Sequence, residues 1–261
     1  MLKKLIILFI LIQGHQVFAA VEKQQAVDLI SKISSVMKPL ADNQDLEIKI
    51  EFKSMNNPGA FSKWEKRKKI GLITFSDELF YVENVDLYAV AMIACHEYGH
   101  FLGGAPYVEV MPTGSIFTAR NKFEKMSVEG QADFFASTIC APLVESFLTE
   151  TTDDPILLSF CEGKRSDCLT TINAIRSAAD SFVEILAGYN YHDTYTSLFD
   201  VSRFQTDRTL NYAGEYPTMQ CRVQTMVQGL SCFEILEDGT CLNEIGQTIE
   251  LRPKCWFKEN R

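Results

Sequence analysis

Two of the four histidines in this chain stand four residues apart, His96 and His100 of "HEYGH", with Glu97 directly after the first. On a helix, positions i and i+4 lie one turn apart on the same face. Both imidazoles would therefore point at one spot, and such nitrogens ligate Zn²⁺ at about 2.0–2.1 Å. Glu97 is rotated by about 100° from His96, which sets its carboxylate beside a cation held there and not on it. From that position a carboxylate can take a proton from an attacking water and hand it to a leaving amine. Two satisfied helix histidines are the other reading of the same five residues, so a second group has to agree.

A catalytic zinc takes three protein ligands and keeps one position open. The pattern HExxHxxGxxH would draw its third ligand from residue 106; Gly103 fits, but residue 106 is Pro106, and that arrangement fails. The stretch "SVEGQADFFAS" (127–137) offers a different ligand. Glu129 and Asp133 are again i and i+4. Glu129 can ligate while Asp133 accepts the outer N–H of a ligating histidine, fixing its tautomer and orientation. An exposed acidic stripe is the alternative, yet the flanking "ADFFAST" is apolar and belongs in a core. Cys95, next to His96, raises a Cys/His/His set, but adjacent helix positions diverge by about 100°, so Cys95 reads as a buried small residue. His192 reads as an exposed loop histidine, and Tyr189, Tyr191 and Tyr195 as candidates to line a groove.

The pair "HEYGH" and "EGQAD" resembles the gluzincin zinc peptidases, in particular the branch of CAAX-type and heat-shock-type membrane peptidases. Their pattern runs HExxH, then ExxxD on a later helix, then HPxxxxR. The third element has a counterpart in "YPTMQCR", with Pro217 and Arg222 in register. The resemblance covers about residues 46–232 and is specific at these three motifs. It implies a zincin-like catalytic domain with His96, His100 and Glu129 as ligands of one Zn²⁺, Glu97 as general base and Asp133 behind the ligands. It also implies that "IGLITF" (70–75) is an edge strand on which an extended peptide pairs by strand addition. Two departures stand out. The family's histidine, which stabilises the oxyanion, is here Tyr216, whose hydroxyl can also donate to a developing oxyanion. The branch is largely membrane-embedded, whereas this chain reads as having only a signal peptide, so its substrates need not be membrane proteins or prenylated ones. Arg222 either pairs with a carboxylate near the site or is a surface arginine.

The elements that must position these residues follow from periodicity. Val21, Val27, Ile30, Ile33 and Met37 space an amphipathic helix that stops near Pro39. "LEIKIEF" (46–52) alternates as a half-buried strand, "NNPGAF" turns, "KWEKRKK" reads as a solvated loop or hairpin, and "IGLITF" is a second strand. A helix spans 86–102, ended by Gly103, Gly104 and Pro106. Another spans 127–141, with Ser127 as its cap. Helical spacing recurs over 169–187 and 218–229, and one short hairpin is expected in the remainder. The fold class is α+β, predominantly helical, with a small early sheet and a disulfide-rich C-terminal part.

The start, "MLKKLIILFILIQGHQVFAA", has the basic end, short apolar run and small residues of a signal peptide over 1–19, leaving one domain over 20–261. The run is too short to span a bilayer, and no later segment is apolar enough, so no stable membrane insertion is expected once the signal is removed. Loss of Lys3 and Lys4 takes the formal charge from −9 to about −11, which argues against nucleic acid as a partner. Eight cysteines in an exported chain point to disulfides and to a periplasmic or secreted location. Full pairing allows 105 patterns. Cys221–Cys232 is disfavoured, because the ends of that helical stretch stand about 16 Å apart. Cys161–Cys168 and Cys232–Cys241 can close locally within the Cys-rich part, 161–261, whereas Cys95 and Cys140 read as buried helix residues. Together these features predict an exported zinc endopeptidase acting on a protein or peptide, with no sign of oligomeric state. A zinc-containing binding or chaperone-like protein without turnover, and a zinc amidase acting on a cell-wall amide, are the alternatives.

Overall fold

The computed structural model describes residues 21–65, 70–108, 126–148, 152–164, 166–187, 194–205, 216–232, 234–236, 240–243 and 245–257. The expected signal peptide, His192, Tyr189 and Tyr191 lie outside them.

Helix α1 (Lys23–Asp42) buries Ala26, Leu29, Ile30, Ile33, Met37 and Ala41, the three-and-four spacing that lays one apolar stripe on a core. It runs past Pro39 instead of stopping there. Proline removes only one ladder bond this close to a helix end, and burial of Met37 and Ala41 holds the last turn, which Asn43 N–H closes onto the Pro39 carbonyl at 3.1 Å.

Strands β1 (Glu47–Lys53), β2 (Ala60–Glu65) and β3 (Ile70–Ser76) form a sheet in the order β1-β3-β2. β1 runs parallel to β3 and β2 antiparallel to it. The "KWEKRKK" run is thus partly the outgoing arm of a hairpin. The expected edge strand, "IGLITF", is the central one: all seven residues of β3 are buried, and both its sides are paired. A continuous apolar run is what a strand covered on both faces requires. The edge nearest the histidines is instead β2, whose alternating exposure suits one covered face.

Helix α2 (Leu87–Leu102) starts where the Asp86 side chain accepts the Ala89 N–H at 2.8 Å, and nearly every residue of it is buried. Gly71 of β3 lets the sheet lie on it; a Cβ there would stand 2.9 Å from the Phe101 ring. Helix α3 (Glu129–Phe135) crosses α2 at Gly99, where a Cβ would meet the Ala132 carbonyl oxygen at 2.6 Å. This close crossing brings the turn of His96 and His100 against the turn of Glu129 and Asp133. Ser127 does not cap α3, which begins after Val128 without a side-chain cap. Its hydroxyl donates to the Gly104 carbonyl at 2.7 Å, and its N–H to that of His100 at 2.8 Å, tying the end of α2 to the start of α3.

Beyond α3 the chain passes through a π turn (Ala136–Cys140) into the short α4 (Ala141–Val144). Cys140 then pairs with Cys95, so these two are a disulfide and not lone buried residues. Helices α5 (Pro155–Cys161), α6 (Cys168–Ala187), α7 (Tyr195–Leu198) and α8 (Met219–Gly229) follow. The two local disulfides, Cys161–Cys168 and Cys232–Cys241, form as expected, and Cys221 pairs with Cys255. In place of one hairpin, the tail makes a three-stranded sheet of two-residue strands, β4 (Glu234–Ile235), β5 (Cys241–Leu242) and β6 (Thr248–Ile249). No described helix is long and apolar enough to cross a membrane. The architecture is α+β and helix-dominated.

Gly99→Ala sets two effects against each other. Helix propensity favours alanine by about 1 kcal/mol, but overlap with the Ala132 backbone costs about 1–3 kcal/mol, since neither helix can yield without moving the other. Net destabilisation is expected, measured as a lower urea midpoint; an unchanged or raised midpoint would show that the crossing has slack.

Candidate metal centre

The two histidines present the same atom to one point. His96 Nε2 lies 3.3 Å from Glu129 Oε2, and His100 Nε2 lies 3.6 Å from Glu129 Oε1. Around a tetrahedral cation with bonds of about 2.0–2.1 Å, neighbouring donor atoms stand roughly 3.3–3.4 Å apart. The two spacings, each to a different oxygen of the carboxylate, are close to that edge length, and ligand atoms of all three residues lie within 4.8 Å of one another.

The far side of each ring is fixed. His100 Nδ1 is 2.9 Å from the Ser127 carbonyl oxygen, to which it donates, leaving Nε2 bare. His96 Nδ1 is 2.8 Å from Asp133 Oδ1, which selects the same tautomer. Asp133, 1% exposed, is itself gripped by Arg222: Nε donates to Oδ2 at 2.8 Å and Nη2 to Oδ1 at 2.7 Å. This two-pronged bond is the strong form of an arginine–carboxylate pair. Of the two readings of Arg222, pairing with a site carboxylate is therefore the one observed. The guanidinium carbon also lies 5.0 Å from the Phe182 ring and 5.6 Å from that of Tyr216.

Burial by itself would push the carboxylates up and the His96 imidazolium down; the charges facing them win. The Asp133 carboxylate, with further hydrogen-bond help, outweighs burial and holds His96 up to about 10. Glu129 is held down to about 2 by His96 and His100. Arg222 and His96 keep Asp133 well below the carboxylate range, and Asp133 in turn pushes Arg222 up. Glu129 Oε2 is buried and accepts no hydrogen bond, although His96 Nε2 faces it. With His96 protonated, this 3.3 Å contact is an ion pair in a buried site, and a cation could take the place of the proton between the two atoms. The donor set, two imidazoles and a carboxylate, suits a divalent transition metal.

Glu97 stands apart from the ligand group, as its place one position round the helix requires. It is 5% exposed, and its Oε2 accepts the Ser62 hydroxyl of β2 at 2.7 Å. Nothing in "AFSKWE" marks Ser62 for this; only the packing of β2 on α2 reveals it. Tyr216 precedes α8, which carries Arg222. The residue is 65% exposed, with its ring 5.6 Å from the Arg222 guanidinium carbon; partial desolvation and then the charges of Glu129, Glu97 and Asp133 push its hydroxyl up, so that it remains a proton donor. No family model matches the chain, and neither a curated protein nor a solved structure matches it.

Two outcomes are expected. Because His96 is protonated in the window between its usual value of 6.5 and about 10, a cation taking Nε2 must displace that proton. Zinc titrations by calorimetry at pH 8, in buffers of different ionisation enthalpy, will report about one proton released per cation; none released would contradict the His96 assignment. Arg222→Met leaves Asp133 buried without its partner, which costs about 3–5 kcal/mol. Zinc affinity should fall about 10–100-fold as His96 loses its orientation. Unfolding and chelator competition measure the two effects separately, and affinity equal to the parent's would remove the positioning role.

Proposed function

We propose that this chain is an exported, zinc-dependent endopeptidase of the gluzincin type. The observation that carries the reading is Glu97, a buried carboxylate next to the His96–His100–Glu129 group yet outside it. A purely structural cation site has no use for a third acid beside Glu129 and Asp133, because an extra buried carboxylate costs free energy unless it works. Zn²⁺ held by the three ligands supplies Lewis acidity toward an amide carbonyl and acidity toward water.

The residues of the chain divide the remaining tasks. Glu97 accepts a proton from the attacking water and passes it to the leaving nitrogen, so the base of the first step is the acid of the second. Tyr216, kept protonated, donates to the oxygen on which negative charge develops. Asp133 and Arg222 hold His96 in one tautomer throughout. An extended peptide can add to the outer side of β2, unpaired among the described residues, and would run past Glu97 there. That edge favours a peptide substrate over a compact non-peptide amide. The four disulfides fit an oxidising compartment such as a periplasm or the exterior.

The mature chain should cleave a denatured-protein pool. Chelation should abolish the cleavage and zinc restore it, and Glu97→Gln should lower turnover at least about a hundredfold at unchanged zinc content. Zinc bound by both proteins with turnover in neither would point instead to a binding protein that keeps the metal without hydrolysis.

A further inference from the structure

Ser62 lies outside every motif, on the strand bordering the site, and touches one residue twice. Its hydroxyl oxygen is 2.7 Å from Glu97 Oε2 and 3.0 Å from the Glu97 main-chain oxygen. A hydroxyl carries one proton, so it serves one acceptor at a time. The bond to the carboxylate is charge-assisted and the stronger of the two. The strand holding this donor is fixed: Ser62 is in register with Ile73, which is fully buried in the central strand.

A glutamate side chain has three rotatable torsions, and a base misplaced by about 1 Å can lose about a hundredfold in rate. Nothing on α2 itself restrains the Glu97 carboxylate through a side-chain hydrogen bond among those described; the restraint comes from across the interface, on β2. We propose that Ser62 is a positioning residue for Glu97: it holds Oε2, sets the rotamer beside the metal ligands and leaves Oε1 as the oxygen that takes the proton. The role rests on the hydrolytic reading above. It also gives β2 two duties. The strand that a peptide would join is the strand that aims the base, so the scissile bond and Glu97 are aligned from one piece of backbone.

Ser62→Thr and Ser62→Val test this as a pair, because the two side chains have the same shape and differ in the hydroxyl, and both suit a strand. The assay uses an internally quenched peptide built on a cleavage site found in a denatured-protein pool, beside Glu97→Gln as a control. Threonine should keep kcat within about threefold, whereas valine should lower it at least tenfold with KM and zinc content unchanged. Crystal structures of the two variants give a readout independent of turnover: one Glu97 rotamer with threonine, several with valine. Equal kcat in the pair, or an equally ordered Glu97, would overturn the role while Glu97→Gln still confirmed the peptidase. Full turnover in Glu97→Gln would remove the hydrolytic reading and the role of Ser62 with it.

Discussion

Asp133 is buried to the point of 1% exposure, and a carboxylate so placed cannot keep its charge unless something answers it. Arg222 answers it with two hydrogen bonds, and His96 with a third contact. The rest of the site follows from this knot. Asp133 fixes the orientation of His96, which turns Nε2 toward Glu129, whose Oε2 faces it at 3.3 Å. Charge holds the arrangement together as far as Glu129, and the His96–His100–Glu129 group that results could hold a metal ion.

Holding the knot together is a matter of approach distances. Gly99 allows α2 and α3 to touch backbone to backbone, and Gly130 lets the Trp256 ring lie against the turn that carries Glu129. Two disulfides sit next to site residues in the sequence. Cys95, before His96, is bonded to Cys140 beyond α3, and Cys221, before Arg222, to Cys255 next to Trp256. Each links elements whose relative position fixes a ligand or its partner. The Trp256 indole N–H is also satisfied, donating to Thr225 of α8 at 2.9 Å. The tail is thus part of the scaffold of the centre, even though it carries none of the ligands.

How much of this was legible depended on range. His96, His100, Glu129 and Asp133 could be read because helical periodicity alone puts residues i and i+4 on one face. Glu97 followed from the same geometry, and the local disulfides from short loops. Interactions set by packing between distant segments left no such trace. "IGLITF" looks alike as an edge or a central strand when only its own residues are considered, and the pairing with β1 and β2 decides. Cys95 and Cys140 looked like isolated core residues because their meeting depends on the helix crossing and the π turn before Cys140. Ser127 has the right identity for a cap, but its hydroxyl is taken by Gly104. Ser62 was invisible: a serine on an alternating strand carries no signal until the opposite helix is known.

The central claim is that His96, His100 and Glu129 hold one zinc ion. X-ray absorption at the zinc edge, on protein purified without chelator from an oxidising compartment, tests it most directly. The account predicts one zinc per chain with two imidazole ligands, oxygen in the remaining positions at about 2.0–2.2 Å, and no sulfur. Substoichiometric zinc, or sulfur at about 2.3 Å, would contradict it, since all eight cysteines are committed to disulfides.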